Sequence, residues 1–367
     1  MLGRAKMEAA NLAGYSTLMT RSQYLLRFIA VLLISVLPAF ADAGETLRVL
    51  TWPGYADADL VRVFEQRTGA KVEVTLIDTD EALWQKISHN AGRDFDVFAV
   101  NTAELQRYIA QGLVVPIATD EMHNLSAQLP EFRNLKAIPG VVHGGKAFAI
   151  PYTYAEMGLI FDRKQIKEPP TSIQVLWDPR YRGKVLLYNG GAHSFTLAAQ
   201  SLGHKTPFQL AASDWSASVQ QLIALRRNAL TFYTQPEESV QLFQKQGAAL
   251  MFANYGSQQV ELLKKAGLDV GYAIPREGAL AWLDCWVITP GAKSSALAQA
   301  WIDYLLEPAP SAALVDRQGL ANTTARSPSQ NARDRLVWLE PVEDVARRTE
   351  LWERIVSGDR MSKVLAP

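Results

Sequence analysis

Two short stretches carry the residue types most able to do chemistry: Trp282-Leu283-Asp284 and Thr51-Trp52-Pro53-Gly54-Tyr55. Each sits at the end of an apolar, strand-like run, with Leu47 to Leu50 before the second stretch and Trp286 to Ile288 after the first. Aromatic faces beside a carboxylate suit a small organic cation. The ring quadrupoles attract the charge, and the carboxylate takes a charge-assisted hydrogen bond. The stretches lie over two hundred residues apart, so they meet only if the chain passes twice through one cleft. The plainer alternative is that these tryptophans pack a core or its rim.

The elements that must position them are those of an ordinary globular chain. Of 367 residues, 48% are hydrophobic and 20% charged, enough for two compact lobes with their own cores. Basic and acidic residues balance at 37 each and no basic block occurs, which argues against a nucleic-acid partner. The five histidines (89, 123, 143, 193 and 204) show no paired-ligand spacing, so neither a metal nor a cofactor is expected. The single cysteine, Cys285, lies in an apolar strand pattern and reads as a buried, inert thiol. No GxSxG elbow, P-loop or GxGxxG follows a strand, so an enzyme is not expected. Asn189-Gly190-Gly191 before a helix is either a backbone nest for an anion or a tight turn.

The first 43 residues read as a leader. Arg21 and Arg27 precede the apolar run Phe28 to Leu37, and both Ala39-Phe40-Ala41 and Ala41-Asp42-Ala43 fit a cleavage site. The mature chain then starts near Asp42 or Gly44, with Met19 a more natural start than Met1. Ten apolar residues are short for a membrane span, and no cysteine follows them to carry a lipid.

Beyond residue 46 the pattern is α/β. Strands are expected at Leu47–Thr51, Val72–Ile77 and Phe95–Val100, alternating with helices Ala58–Arg67 (capped by Asp57), Glu81–Asn90 and Ala103–Ala110. Further strands are expected at Leu159–Phe161, Lys184–Leu187, Ala248–Phe252 and Trp282–Ile288. Helices are expected at Ser194–Leu202, Ala217–Arg227, Ser239–Lys245 and Ser295–Leu306. Such units build mostly parallel sheets covered by helices, with ligands beyond the carboxyl ends of the strands. Those ends are Thr51 to Tyr55, Asp78 to Asp80 and Asn101-Thr102.

Several motifs, in order, carry a family resemblance. They are the leader, Leu47-Arg48-Val49-Leu50-Thr51-Trp52-Pro53-Gly54-Tyr55, Phe95-Asp96-Val97-Phe98-Ala99-Val100, Ile150-Pro151-Tyr152, Leu176-Trp177-Asp178-Pro179-Arg180-Tyr181-Arg182-Gly183-Lys184 and Ala281-Trp282-Leu283-Asp284. Together they resemble the periplasmic solute-binding proteins of ABC importers, most of all the spermidine/putrescine-binding type. The resemblance implies a type II fold: two α/β lobes, each a mostly parallel sheet flanked by helices, joined by two hinge crossings near Tyr152 to Ala155 and Ala281 to Leu283. It implies lobe 1 over 44–152 and 282–330, lobe 2 over 153–281, and a helical segment over 331–367 returning to lobe 2. A monomer in the periplasm would then capture a small amine-bearing solute, a polyamine or a relative, for a membrane ABC permease. The alternatives are an amino-acid-like or anionic solute on the same fold, or a sensory binding protein.

The resemblance also implies a ligand set. Trp52 and Tyr55 pack on the ligand's carbon chain, Trp282 and Asp284 hold an amine, and Asn101 is a small polar group at a strand end. Glu104, Tyr154, His193, Tyr255 and Ser257 complete the expected site. The chain departs from the type at Ala103-Glu104, where an aromatic pair is usual, at Leu320-Ala321-Asn322, and at Ser257, where a putrescine binder has an acid. Tyr188 to His193 holds no acid either. A second ammonium would therefore need Glu104, Asp78, Asp80 or Glu156, and long polyamines are expected to bind poorly.

Overall fold

The computed structural model describes residues 44–325 and 335–366. The expected leader lies outside them, as do residues 331–334 of the expected C-terminal segment. The chain opens with β1 (Thr46–Thr51), β2 (Lys71–Leu76) and β3 (Val97–Asn101), interleaved with helices Ala58–Thr68, Asp80–His89 and Thr102–Ala110. β1 pairs in parallel with both neighbours. Side chains of β3 alternate between two cores: Val97 and Ala99 join Phe64, Trp286 and Trp301 on one face, while Phe98 and Val100 join Tyr108 and Leu283 on the other. Both faces are thus buried, which is why β3 reads as a continuous apolar run.

A two-stranded ribbon, β4 (Val142–His143) and β5 (Lys146–Ala147), leads to β6 (Ile150–Met157). β6 pairs antiparallel with β12 (Ala279–Ile288), and β12 antiparallel with β3. The first sheet has the order β13-β6-β12-β3-β1-β2, where β13 is Ala321–Asn322, and β14 (Leu336–Trp338) adds to β12. The second sheet has the order β11-β7-β10-β8-β9, from β7 (Leu159–Asp162), β8 (Val185–Tyr188), β9 (Ala229–Tyr233), β10 (Leu250–Phe252) and β11 (Val270–Ala273). In each sheet most strands run one way; β12, β13 and β14 oppose the rest in the first, β7 in the second.

The fold is therefore two-lobed, and β6 and β12 are its two crossings. Ile150, Tyr152, Trp286 and Ile288 pack in the first lobe's core, whereas Met157 and Leu280 pack in the second's. Every residue of β6 is buried, and every residue of β12 except Trp282. Pro151 hides this strand from a pattern reading, since proline has no N–H for a ladder. Here it falls where the pairing register shifts, between Asp284 and Cys285. Two expectations are corrected. β12 begins at Ala279 rather than Trp282, so Trp282-Leu283-Asp284 lies mid-strand, not at a strand end. Asp57 occupies the N-cap position without a side-chain cap, because its carboxylate accepts from Arg317 Nη1 at 2.9 Å instead.

Helix Val345–Val356 lays Leu351, Trp352 and Ile355 into the second lobe's core beside Phe195 and Trp215. Arg348, fully buried, donates to both Glu343 carboxylate oxygens (2.9 and 2.7 Å) and to Thr196 Oγ1 (2.8 Å). This ties the last long helix to helix Gly191–Ser201.

Candidate functional site

At the end of β1 the chain turns sharply, with Gly54 at φ 85, a conformation glycine adopts without strain. The turn brings Tyr55 back under the sheet, 3% exposed, with its ring edge-on to Tyr152 at 5.4 Å. Its hydroxyl donates to Asp284 Oδ2 at 2.8 Å. Asp284 is 7% exposed, and no salt bridge among the described residues reaches it. Burial pushes its carboxyl up to about 7, with the Tyr55 hydrogen bond pulling the other way. Burial, and then the charge of Asp284, hold the Tyr55 phenol well above its usual range.

Asn101 is the direct cross-strand partner of Asp284 between β3 and β12. Its carboxamide caps helix Thr102–Ala110, Oδ1 accepting from Glu104 N at 3.0 Å, and Nδ2 donates to Asp80 Oδ1 at 3.1 Å. Asp80 opens helix Asp80–His89, whose cap is Thr79. The half-buried Asp80 carboxyl rises to about 7, through burial first and then the charges of Glu104 and Asp284. Glu104 is paired with Arg107 at 2.6 Å, and that guanidinium lies over Trp84 at 4.3 Å.

The second lobe supplies rings. Tyr188, ending β8, sits 5.5 Å from His193 and 6.2 Å from Tyr255. The charge of Asp80 reaches both phenols from across the cleft, adding to the burial that lifts Tyr188 to about 12. Tyr255 donates its hydroxyl to Thr234 O at 2.7 Å. Burial lowers His193 to about 4, and the charge of Arg348 acts in the same direction, so the ring is neutral at pH 7. Asn254 lies beside it, and a hydrogen bond between the two side chains opposes part of that lowering. Trp282 donates Nε1 to Asn254 O at 3.0 Å and packs against the cores of both lobes.

The expected residues therefore separate into groups. Trp52, half-buried with its Nε1 unpartnered, lies on the first-lobe side with Tyr55, Asn101 and Asp284. His193 and Tyr255 belong to the opposite wall, and Trp282 stands between, packed against both cores. Tyr154 is a correction. It pairs with Leu283 rather than Asp284, so it points to the other sheet face, 1% exposed between Phe132 and Trp338 (5.2 and 5.8 Å). Ser257 is also engaged elsewhere, since its hydroxyl donates to Gly319 O at 2.7 Å, and Glu104 is held by Arg107. Gly190 is extended (φ −151, ψ 121) and neither it nor Gly191 adopts positive φ, which removes the anion nest. Gly191 is required by close packing: a Cβ there would stand 2.8 Å from Arg348 O.

Tyr188 and Asn254 were not among the residues expected at the site. Both lie at carboxyl ends of second-lobe strands, a signal applied only to the first lobe. Cys285 is fully buried, and burial raises its thiol well above its usual range. Among the described residues no carboxylate, histidine or cysteine cluster is placed to hold a metal ion, and no helix is long and apolar enough to cross a membrane.

Comparison with known proteins agrees with this architecture. Spermidine/putrescine-binding periplasmic protein 1 of Haemophilus influenzae is 25% identical over 270 residues, 73% of this chain and 72% of that protein. The putrescine-binding periplasmic protein PotF of Escherichia coli is 25% identical over 365 residues, covering 90% and 96%. The crystal structure of the spermidine/putrescine ABC transporter substrate-binding protein PotD of Streptococcus pneumoniae superposes with a TM-score of 0.70 at 20% identity, over 88% of this chain and 99% of that one. The sequence model of the bacterial extracellular solute-binding proteins matches residues 59–334. The chain belongs to that family.

Proposed function

We propose that the protein is the periplasmic binding component of an ABC importer. It captures a small amine-bearing solute, a polyamine or a relative, between its lobes and presents it to a membrane permease. The observation that carries this reading is Asp284: a buried carboxylate with a tyrosine hydroxyl on one oxygen, no basic partner, and Trp282 two residues away on the same strand face. A buried carboxylate without a counter-ion is costly, and an ammonium supplies the missing charge. The polyamine-binding relatives support the same chemistry.

Capture is a population shift. A solute touching both lobes favours the closed arrangement by its differential affinity for it, and the permease reads that arrangement. The protein transforms nothing. It acts as a monomer without nucleic acid, exported by residues 1–43, with lobe 1 over 44–152 and 282–330, lobe 2 over 153–281, and helix Val345–Val356 docked on lobe 2. A thermal-shift panel of diamines, spermidine, monoamines, amino acids and choline-like compounds tests the reading. At a hundredfold excess over Kd a true ligand stabilises by about 2.7 kcal/mol. Amines should head the panel, and an amino acid or an anion at its head overturns the reading.

A further inference from the structure

We propose that Asp80 is the second cation anchor of the cleft and sets a preference for solutes with two ammonium groups. The first lobe then reads both charges, and the second lobe contributes rings and neutral polar groups. The inference rests on the amine-capture reading above.

The second lobe offers no buried acid beside these rings; Glu237, whose charge reaches Tyr255, is exposed. Tyr188 to His193 contains none, His193 is neutral with the Arg348 charge behind it, and Ser257 is bonded to Gly319 O. On the first lobe, Asp78 is exposed and accepts no hydrogen bond from a described residue, and Glu104 is paired with Arg107. Glu156 pairs with Ala281 and so lies on the face that Trp282 does not share. Asp80 differs from all three. The carboxamide that holds its Oδ1 belongs to the cross-strand partner of Asp284, so Asp80, Asn101 and Asp284 form a row along one edge of the cleft. Direct cross-strand partners stand about 5 Å apart at Cβ, and the carboxamide extends the row by one side chain, a span a short alkyl diamine bridges.

Charge points the same way. Asp80, Glu104 and Asp284 face one cation, Arg107, so a dication balances the two carboxylates left over once both Asp80 and Asp284 are ionised. Across the cleft, Asn254 is buried beside His193, and its carboxamide offers a neutral acceptor to a solute N–H.

Calorimetric titration of the mature chain at pH 7.5 with putrescine and with butylamine tests this. The wild type should prefer putrescine. Asp80→Asn should lose about tenfold or more in putrescine affinity, the scale of a charged hydrogen bond, with butylamine little changed. Asp80→Glu should keep most of the preference, and Asp80→Ser serves if the asparagine variant does not fold. Equal losses for both amines, or none, overturn the assignment of Asp80 while amine capture stands. A wild type that binds neither amine overturns both.

Discussion

The Tyr55 hydroxyl donates to Asp284 Oδ2 at 2.8 Å across 229 positions of sequence. This bond ties the turn after β1 to the crossing strand β12 and fixes one oxygen of the carboxylate, so Oδ1 remains for a ligand. It also sets the electrostatics. The carboxylate is buried enough to rise toward neutrality, and only Tyr55 opposes that rise.

Asp284→Asn removes the anchor. Amine affinity should fall by about 1.5–3 kcal/mol, the worth of a hydrogen bond to a charged group. The ligand-free protein should become more stable at pH 8, since no buried carboxylate has to ionise. Calorimetry and urea unfolding at that pH measure the two effects, and unchanged affinity would take Asp284 out of the site.

The pH dependence follows from the carboxyl near 7. Its unfolded value is about 3.9, so between the two the folded state holds a proton that the unfolded chain has lost. Stability of the ligand-free protein should therefore decline as pH rises from about 4 to 7 and level off above. Amine binding needs the ionised form. Affinity should drop about tenfold per unit below pH 6 for each carboxyl that must ionise, with protons released on binding. Titrations in two buffers of different ionisation heat at pH 6 detect that release, and no difference between them would count against a protonated anchor.

Trp52→Ala should weaken binding more than Tyr55→Phe. The first removes an aromatic face, and the second only a hydroxyl. Tyr55→Phe should still shift the pH profile upward, because its hydrogen bond is what lowers the Asp284 carboxyl. A steeper loss in Tyr55→Phe at pH 8 would place the apolar wall elsewhere. Ligand-induced change in tryptophan fluorescence gives an independent check on Trp52.

Gly191→Val and Arg348→Ala should unfold the second lobe's helical face rather than alter ligand choice. A side chain at Gly191 meets the backbone at Arg348, and Arg348 is the buried partner of Glu343. Breaking such a pair costs about 3–5 kcal/mol, readable as a lower urea midpoint. Normal midpoints would show that the last long helix is loosely held.

Much of this was legible from sequence for physical reasons. β3 is buried on both faces and reads as a plain apolar run, and β1 does so apart from Arg48. Asp284 and Trp282 stood out because a carboxylate beside an indole is rare in such a run. What sequence hid came from pairing. Proline disguised β6, and only the register of β6 on β12 shows that Tyr154 turns away from Asp284. Asp80 gave no signal in one dimension beyond its place after β2. Its importance comes from Asn101, which joins it to Asp284 through a strand pairing no spacing encodes.

The most direct measurement is a crystal structure of the protein with the solute it retains when purified without refolding. A cationic nitrogen should lie within hydrogen-bond reach of the Asp284 carboxylate, with Trp282 and Trp52 against the solute's carbon chain. A retained anion or neutral solute, or an amine whose nitrogens all lie away from Asp284, would contradict this.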